Sequence, residues 1–424
     1  MVLLFFFNNF NKIYSIYFII IGLIMSIKYY WVDWMYIMFE FGSNIYSNWL
    51  SILSLWIGGL LMLSLDSKFK IYLNYILVMI LVLNFMMMNL IFYYLMFEVG
   101  VMIMFYMILE WGSSSNRVLA SFYMLFYTMI FSLPSLFIMF YIYKLFGSFS
   151  FKIMELLNNE YMDLFIIMYF IFMFLVKIPM YLFHQWLLKA HVEAPYYVSM
   201  ILASIMLKLG SYGLLRMMMI FLSYFKMVIN NLIMLNILGM LILSLMCLRM
   251  LDMKMLIAIS SVVHMGLLLM SMIMGFEFNL IGGYLMMISH GFSSSGLFFL
   301  VNMIYKETNS RLLVINKGMF MYMPSMSLMW FMLCSTNMAA PISLNLISEI
   351  ILILGSIMWM KYIFVILIMY CLFSFLYSLY LYLFIQHGKN NFKMIYNGFM
   401  IEYLIILFHW LPLNLFIFNL EILI

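Results

Sequence analysis

Thirteen apolar runs, repeated along almost the whole chain, constrain its fold more than any other feature. A run of roughly 20 residues crosses the ~30 Å hydrocarbon core of a bilayer as an α-helix. The runs cover residues 13–27, 45–65, 71–89, 91–109, 118–146, 161–182, 196–217, 227–249, 255–274, 279–304, 320–358, 361–386 and 400–424. Because 68% of the residues are hydrophobic and 8% are charged, water could not solvate this chain as a soluble domain. The sequence therefore predicts an all-α, multi-pass membrane bundle, with residues 1–424 forming a single membrane domain.

Prolines within two of these runs predict broken helices. The run at 320–358 is nearly twice the length that one crossing needs, and it contains Pro341 near its middle. Pro179 lies in a similar position in an earlier run. Proline interrupts the helical hydrogen bonds, and membrane proteins tolerate such breaks where the backbone lines a wet cavity. We expect discontinuous helices near both prolines and 13 helices in all, or 14 if residues 1–44 hold two.

The loops between the runs carry different charges on the two sides of the predicted bundle. If each run crosses once, the loops after residue 45 hold eleven Lys and Arg residues on one side and five on the other. The eleven are Lys68, Lys70, Arg117, Lys189, Arg249, Lys254, Lys306, Arg311, Lys317, Lys389 and Lys393, and the five are Lys144, Lys152, Arg216, Lys226 and Lys361. Cytoplasmic loops carry the excess of basic residues, so the first side is the cytoplasmic or matrix side. No basic cluster stands outside the runs, so a nucleic-acid partner is not expected.

The sequence offers little from which a cofactor or metal site could be built. Cys247, Cys334 and Cys371 lie in or beside apolar runs, without CxxC spacing or a histidine at metal-ligand distance. Neither a GxGxxG motif nor a P-loop is present, and no loop is long enough to form a nucleotide or flavin domain. We therefore expect no metal, cofactor, NADH or redox site on this chain.

Four ionisable residues interrupt the apolar runs, namely Glu98, Lys177, Lys208 and Glu349. Each would cost several kcal/mol in bare hydrocarbon, so such residues are candidates for an ion pathway. A lone carboxyl at Glu98 would be protonated unless a cation lay close, and a buried neutral glutamate remains a structural alternative. Lys177 lies two residues before Pro179, where a broken helix can line water, although a lysine can also extend towards the membrane surface.

Lys208 lies on a helix face that contains small polar residues. Ser204 and Ser211 are four residues before and three residues after it, so their hydroxyls could hold water beside the ammonium group. Gly210 and Gly213 follow on the same helix and allow a neighbouring helix to approach closely. This pattern favours a hydrated lysine that can hold and release a proton.

Two histidines in adjacent runs share their helix faces with hydroxyls. His264 and His290 have, one turn away, Ser260, Ser261, Ser293 and Ser294. Imidazole accepts and donates protons near neutral pH, so two histidines in matching settings predict a relay. A core histidine bonded to a backbone carbonyl is the structural alternative for each. His184 and His191, at intervals of seven residues after Lys177, are further candidates for proton uptake or hinge support.

The composition also indicates where the gene is located. Fifty-two Met, 43 Phe and 32 Tyr stand against seven Ala, which is the bias expected when codons drift towards A and T. Many organelle genomes show this drift. The sequence therefore predicts synthesis inside an organelle, and the absence of a cleavable targeting segment before the first run fits that expectation.

Several segments of the chain form a specific set of motifs. The clearest are KIPMYLFHQWLLKAHVEAP at 177–195 and SMILASIMLKLGSYGLLR at 199–216. Shorter ones are MFE at 96–98, SSVVHMGLL at 260–268, ISHGFSSSGLFFL at 288–300 and NLISE at 345–349. Together they resemble the mitochondrial antiporter-like subunits of respiratory complex I, the NADH–ubiquinone oxidoreductase. The resemblance implies an antiporter-like fold, with a first half-channel at 91–217, a second at 227–358 and C-terminal helices at 361–424. Residues 1–44 form a divergent segment with room for one helix instead of two.

The resemblance also implies a function. It predicts a proton-translocating subunit of the mitochondrial inner membrane, driven by quinone reduction elsewhere in the complex. The implied path has Glu98 and Lys177 as a switch, Lys208 as central donor and acceptor, His264 and His290 as a relay, and Glu349 as its terminal site. The expected partners are other membrane subunits, especially neighbouring antiporter-like chains, together with lipids. The alternatives are an Mrp-type cation/proton antiporter subunit and a purely structural bundle, in which the buried charges would be dispensable.

Overall fold

A computed structural model describes residues 11–27, 34–38, 40–156, 163–225, 229–388 and 398–423, and most of them are helical. The helices are α1 (Asn11–Ile27), α2 (Ile45–Ser64), α3 (Lys68–Met86), α4 (Leu90–Trp111), α5 (Arg117–Phe146), α6 (Phe151–Leu156), α7 (Leu164–Lys177), α8 (Gln185–Glu193), α9 (Tyr196–Ile201), α10 (Leu207–Phe225), α11 (Ile229–Cys247), α12 (Met253–Met274), α13 (Glu277–Thr308), α14 (Met319–Tyr322), α15 (Pro324–Asn337), α16 (Leu344–Trp359), α17 (Phe364–Gln386), α18 (Met400–Phe418) and α19 (Leu420–Leu423). A π turn (Leu202–Met206) joins α9 to α10, and a 3-10 turn (Lys361–Ile363) precedes α17.

The predicted transmembrane bundle is confirmed. Within the described residues, ten helical segments are long and apolar enough to cross a membrane, and parts of α1, α7 and α16 form three shorter apolar helices. These thirteen segments correspond one by one to the thirteen apolar runs. Both α7 and α16 belong to broken helices, which α8 and α15 complete. A second helix within residues 1–44 would need the apolar residues 2–11, which lie almost entirely outside the described residues. The possible fourteenth helix therefore stays untested.

Both predicted helix breaks are present. The first separates α7 from α8 and contains Pro179, and its Leu182 has a positive φ of 84°. The second separates α15 from α16 and contains Pro341, with positive φ at Ala339 (55°) and Ile342 (66°). Non-glycine residues adopt these left-handed conformations at a cost, so surrounding contacts must hold the breaks in place.

Helices α12 and α13 lie at the centre of the bundle, with almost every residue of their apolar stretches buried. By contrast, α5 and α17 expose large apolar side chains such as Phe137 and Leu372, which is what a lipid-facing helix requires. The predicted close approach at two glycines is confirmed. A Cβ atom at Gly210 would lie 3.1 Å from Cβ of Lys177, and one at Gly213 would lie 2.2 Å from the Phe174 ring.

The strict all-α prediction missed a short hairpin before α2. Strands β1 (Met35–Met38) and β2 (Phe41–Ser43) pair antiparallel, and Phe41 also bridges to Met87 at the end of α3. A further bridge joins Asn89 to Ser150. The hairpin therefore covers the side of the bundle whose loops have fewer basic residues. Four apolar residues in a row are too few to distinguish a strand from the end of a helix.

The opposite side of the bundle is held together by contacts to the end of α8. Arg311 donates to the carbonyl of Val192 and to Ser113, and Lys254 Nζ donates to the carbonyl of Ala194 at 2.6 Å. Assigning Lys254 to a loop was therefore wrong. It is the second residue of α12, and its side chain is only 5% exposed.

Arg216 is a second correction to the assignment of charged loop residues. Its helix, α10, continues to Phe225, and the side chain is 2% exposed within the bundle. Without Arg216 and Lys254, the two sides carry ten and four basic loop residues, so the direction of the charge bias is unchanged.

The topology can be tested by thiol labelling in sealed mitoplasts. With thirteen crossings, we expect a tag at the N-terminus on the basic-loop side and a tag at the C-terminus on the hairpin side. Single cysteines at two exposed loop positions, Ser67→Cys and Phe276→Cys, mark these two sides. Both tags on the same side would contradict the count and require a fourteenth crossing.

Candidate functional site

The first buried charge pair joins α4 to the break between α7 and α8. Lys177 Nζ lies 3.8 Å from Glu98 Oε1 and 3.7 Å from the centre of the Phe97 ring. Lys177 is the last residue of α7, where the negative end of the helix dipole favours a cation. The ammonium group borders a small cavity that Thr128 and Trp186 also line. The structure therefore brings Glu98 and Lys177 together, as the resemblance implied.

At each break, a side chain of the following half-helix satisfies a carbonyl of the preceding one. Trp186 Nε1 donates to the Val176 carbonyl at 3.0 Å, and Asn345 Nδ2 donates to the Thr336 carbonyl at 2.8 Å. Buried carbonyls without a partner are costly, so these two bonds stabilise the breaks. Neither residue was identified from the sequence, although Trp186 lies seven residues after Pro179 and Asn345 four residues after Pro341.

Lys208 lies directly after the π turn and is completely buried. Its ammonium group donates to the Ala203 carbonyl at 2.6 Å and lies 3.0 Å from His290 Nδ1. π turns often occur at functional sites, and this one places the carbonyl of a residue five positions earlier within reach of the side chain. A backbone oxygen and an imidazole thus solvate the charge in place of bulk water.

The serines around these residues bond to their own helices. Ser204 donates to the Met200 carbonyl at 2.6 Å, and Ser211 donates to the Lys208 carbonyl at 3.1 Å, so neither hydroxyl binds the ammonium group. The serines near the histidines behave in the same way, with donor–acceptor distances of 2.6–3.4 Å for Ser260, Ser261, Ser293 and Ser294. Serines within helices commonly form such bonds, which helical spacing alone cannot exclude.

His264 links the centre of the bundle to the second break. Its ring centre lies 5.7 Å from that of His290, and its Nδ1 lies 3.3 Å from Glu349 Oε1. Tyr377 and Tyr370 from α17 contact the same imidazole, at 3.0 Å from Nε2 and 3.4 Å from Nδ1. These two tyrosines were not predicted as site residues from the sequence, although their spacing of seven residues puts both on one face of a helix.

Four of the predicted site residues therefore form one buried row, in the order Lys208, His290, His264 and Glu349. The pair of Glu98 and Lys177 lies at one end of this row. Lys177 reaches it through packing, because its Cβ lies against Gly210, two residues after Lys208. Charged and hydrogen-bonding groups in such a row influence one another's protonation.

The two weaker candidates lie beside this row. His191 is fully buried and its ring stacks on Phe298 at 4.7 Å, while neither ring nitrogen has a hydrogen-bond partner among the described residues. His184 is partly buried in the first break and stacks on Tyr181 at 5.8 Å. The structure thus positions His191 on α8, where it has no hydrogen-bond partner among the described residues, and His184 at the hinge.

The fold and this row of buried ionisable groups define an antiporter-like membrane subunit. A family model described as "NADH:quinone oxidoreductase/Mrp antiporter, TM" matches residues 87–376. NADH-ubiquinone oxidoreductase chain 4 of Apis mellifera ligustica is 55% identical over 412 residues, covering 96% of this chain and 92% of that protein. The chain therefore belongs to the NADH-ubiquinone oxidoreductase chain 4 family.

Solved structures of low sequence identity share the fold. A chain of respiratory complex I from Thermus thermophilus with bound NADH matches with a TM-score of 0.88 at 18% identity, covering 97% of this chain and 93% of that chain. A chain of the Mrp complex from Dietzia sp. matches with a TM-score of 0.81 at 16% identity, covering 96% of this chain and 47% of that chain. The similarity to Mrp is thus one of fold, whereas the similarity to complex I chain 4 extends through the sequence.

The first break offers a structural test. In the Trp186→Phe variant the ring remains, but the Val176 carbonyl loses its donor, at an expected cost of ~1–3 kcal/mol. We expect a lower midpoint for thermal unfolding of the purified complex. The matched control is Trp359→Phe, because the partly buried Trp359 forms no hydrogen bond through its indole nitrogen among the described residues. Equal midpoints for the two variants would show that the bond does not stabilise the break.

Proposed function

We propose that the buried row carries protons through this subunit of the respiratory NADH–ubiquinone oxidoreductase. The observation that supports this most directly is the contact of Lys208 Nζ with His290 Nδ1 at 3.0 Å. An ammonium group can only donate, so the imidazole nitrogen accepts in this state. Moving the proton across this bond transfers a unit of charge from one helix to another. The row has no redox chemistry of its own in this proposal, and quinone reduction elsewhere supplies the energy.

The pair of Glu98 and Lys177 acts as the switch. While the carboxylate faces Lys177, the two charges compensate each other, and separating them leaves each buried and uncompensated. Lys177 packs against the helix that contains Lys208, so the position of its charge changes the field at the centre of the row. A positive charge that moves closer to Lys208 favours release of its proton.

The histidines pass the proton on to the second break. His290 receives it from Lys208, and one water molecule can span the gap to His264, whose ring centre is 5.7 Å away. His264 Nδ1 then faces Glu349 at 3.3 Å, and this carboxylate serves as the terminal acceptor. The Tyr377 hydroxyl, at 3.0 Å from Nε2, is suited to steady the ring while Nδ1 exchanges its proton.

The proposal extends to the organisation of the chain and its setting. Residues 91–217 form the first half-channel, residues 227–358 form the second, and residues 361–424 add the helices that complete it. His191, without a bonding partner on α8, is suited to proton uptake, and His184 to hinge support. The chain works in the mitochondrial inner membrane beside other subunits of complex I, among them neighbouring antiporter-like chains, with lipids around its exposed helices. Family membership makes the Mrp-type alternative the less supported one.

Removing the central ammonium group tests the proposal against a purely structural role. Lys208→Met keeps much of the side-chain volume but removes the proton donor. We expect an assembled complex that moves fewer protons per NADH, by about one or more per turnover. The measurement is acidification coupled to NADH oxidation in proteoliposomes, with Lys361→Met at an exposed position as the control. Unchanged stoichiometry in assembled Lys208→Met would favour the structural bundle.

A second comparison tests the switch. Glu98→Gln removes the carboxylate that pairs with Lys177, and breaking a buried pair costs about 3–5 kcal/mol unless the remaining group loses its charge. We expect this variant to impair pumping far more than Glu110→Gln. Glu110 lies on the same helix but is exposed, so solvent screens its charge. Equal losses in correctly assembled complexes would show that charge coupling through Glu98 is not the switch.

A further inference from the structure

Arg216 is a buried cation that the proposed proton path does not use. It lies on α10, eight residues after Lys208, which places it ~12 Å along the helix axis towards the hairpin side. The side chain is 2% exposed, and its guanidinium carbon lies 4.5 Å from the centre of the Trp34 ring and 5.0 Å from that of Tyr212. Tyr46 approaches it at 5.9 Å.

Among the described residues no carboxylate lies within ion-pair distance of this charge, although the carboxylate of Glu155 on α6 acts on the neighbouring Tyr212. The Arg216 Nη1 lies 3.9 Å from the sulfur atom of Met219, and the guanidinium also interacts with the Tyr212 side chain. Its Nε and Nη2 are buried and have no hydrogen-bond partner in the described part of the chain. Guanidinium does not lose its proton in proteins, so the charge is permanent. Aromatic faces offset part of its cost but leave the positive potential in place.

Other unpartnered polar atoms of the described residues belong to Trp34 itself or to residues next to the contacts of Trp34 and Tyr212. Within the described ranges, the indole nitrogen of Trp34, the side-chain amide of Asn84 and the hydroxyl of Ser150 are buried without partners. Trp34 stacks on Phe151, next to Ser150, and Tyr212 donates to the carbonyl of Phe85, next to Asn84. We call this group, beneath the hairpin, the Arg216 chamber. Buried polar atoms of this kind are normally satisfied by ordered water.

We propose that Arg216 is a fixed positive charge that prevents protons from the hairpin side from reaching Lys208 through the Arg216 chamber. Water bound to these polar atoms, about two helical turns from the central lysine, would offer a short path for leakage down the proton gradient. A permanent cation in a wall of low dielectric constant repels hydronium, as arginines in selective pores do. The proposal rests on the central role of Lys208, but passive leakage can be measured without pumping.

The test compares two substitutions of Arg216 in the assembled complex. Reconstituted into liposomes without NADH, each complex is exposed to a potassium diffusion potential, and proton influx is followed with an internal pH dye. We expect Arg216→Gln to raise passive proton conductance by at least about fivefold. Arg216→Lys, which keeps the charge, should remain near the parent value, as should Arg249→Gln at an exposed position. Parent-like conductance in Arg216→Gln, or equal leakage in both Arg216 variants, would overturn the proposal.

A second pair of variants keeps the test decisive if Arg216→Gln fails to assemble. Met219 is partly buried and touches the guanidinium, so Met219→Glu compensates the charge without removing the arginine. We expect Met219→Glu to leak and Met219→Gln, of the same shape, to remain tight. Absence of leakage in Met219→Glu would contradict the proposed barrier at Arg216 and would leave the proposed proton path unaffected. Unchanged pumping in Lys208→Met contradicts the proton path, so the two failures are distinguishable.

Discussion

Burial of charge away from bulk water is the constraint on which the rest of this structure depends. Lys208 is completely buried, and two groups of the protein replace its hydration shell, the Ala203 carbonyl and the His290 imidazole. An isolated ammonium group in such a place would lose its proton or unfold the site. In a regular helix the backbone carbonyls already accept hydrogen bonds from the same helix, so they are not available to solvate a side-chain charge. The π turn and the two helix breaks therefore bring backbone polarity to the positions where charges lie.

The two broken helices carry complementary chemistry. At the first break the acid, Glu98, lies on an unbroken helix and the base, Lys177, ends a half-helix. At the second break the base, His264, lies on an unbroken helix and the acid, Glu349, follows the break. Both pairs thus join an unbroken helix to one half of a broken helix. A change of charge in either pair alters the forces on a break, and movement of a break alters the separation of the pair.

Much of the bundle could be predicted because the thickness of the hydrocarbon core fixes the length of a crossing helix. The run at 91–109 became α4, which extends it by only one or two residues at each end, and the buried acids and lysines interrupt the runs visibly. Arg216 was misplaced because its charge was taken to mark the end of a run, although α10 continues for nine mostly apolar residues beyond it. The length of an apolar run predicts the minimum length of a helix, but it does not show at which residue the helix ends.

Contacts between distant segments could not be predicted in this way. Tyr377 reaches His264 across 113 positions of sequence, and no local pattern distinguishes it from the many other tyrosines of an aromatic-rich chain. The serines illustrate a different limit of the sequence pattern. Helical spacing correctly put them beside the ionisable groups, but their hydroxyls found nearer acceptors in the carbonyls one turn back. Spacing therefore predicts which residues share a face, whereas tertiary packing decides which atoms bond.

Close spacing within the row also limits how its members can be charged. Lys208 and His290 are 3.0 Å apart, so a positive charge on one strongly disfavours a positive charge on the other. In the proposed path, a proton therefore advances from Lys208 to His290 only as the lysine becomes neutral, and Lys208 takes up its next proton only once His290 has passed its own towards His264. Repulsion between neighbours would thus order the proposed steps, and a field applied at Lys177 would be transmitted to Glu349 without any large movement of the helices between them.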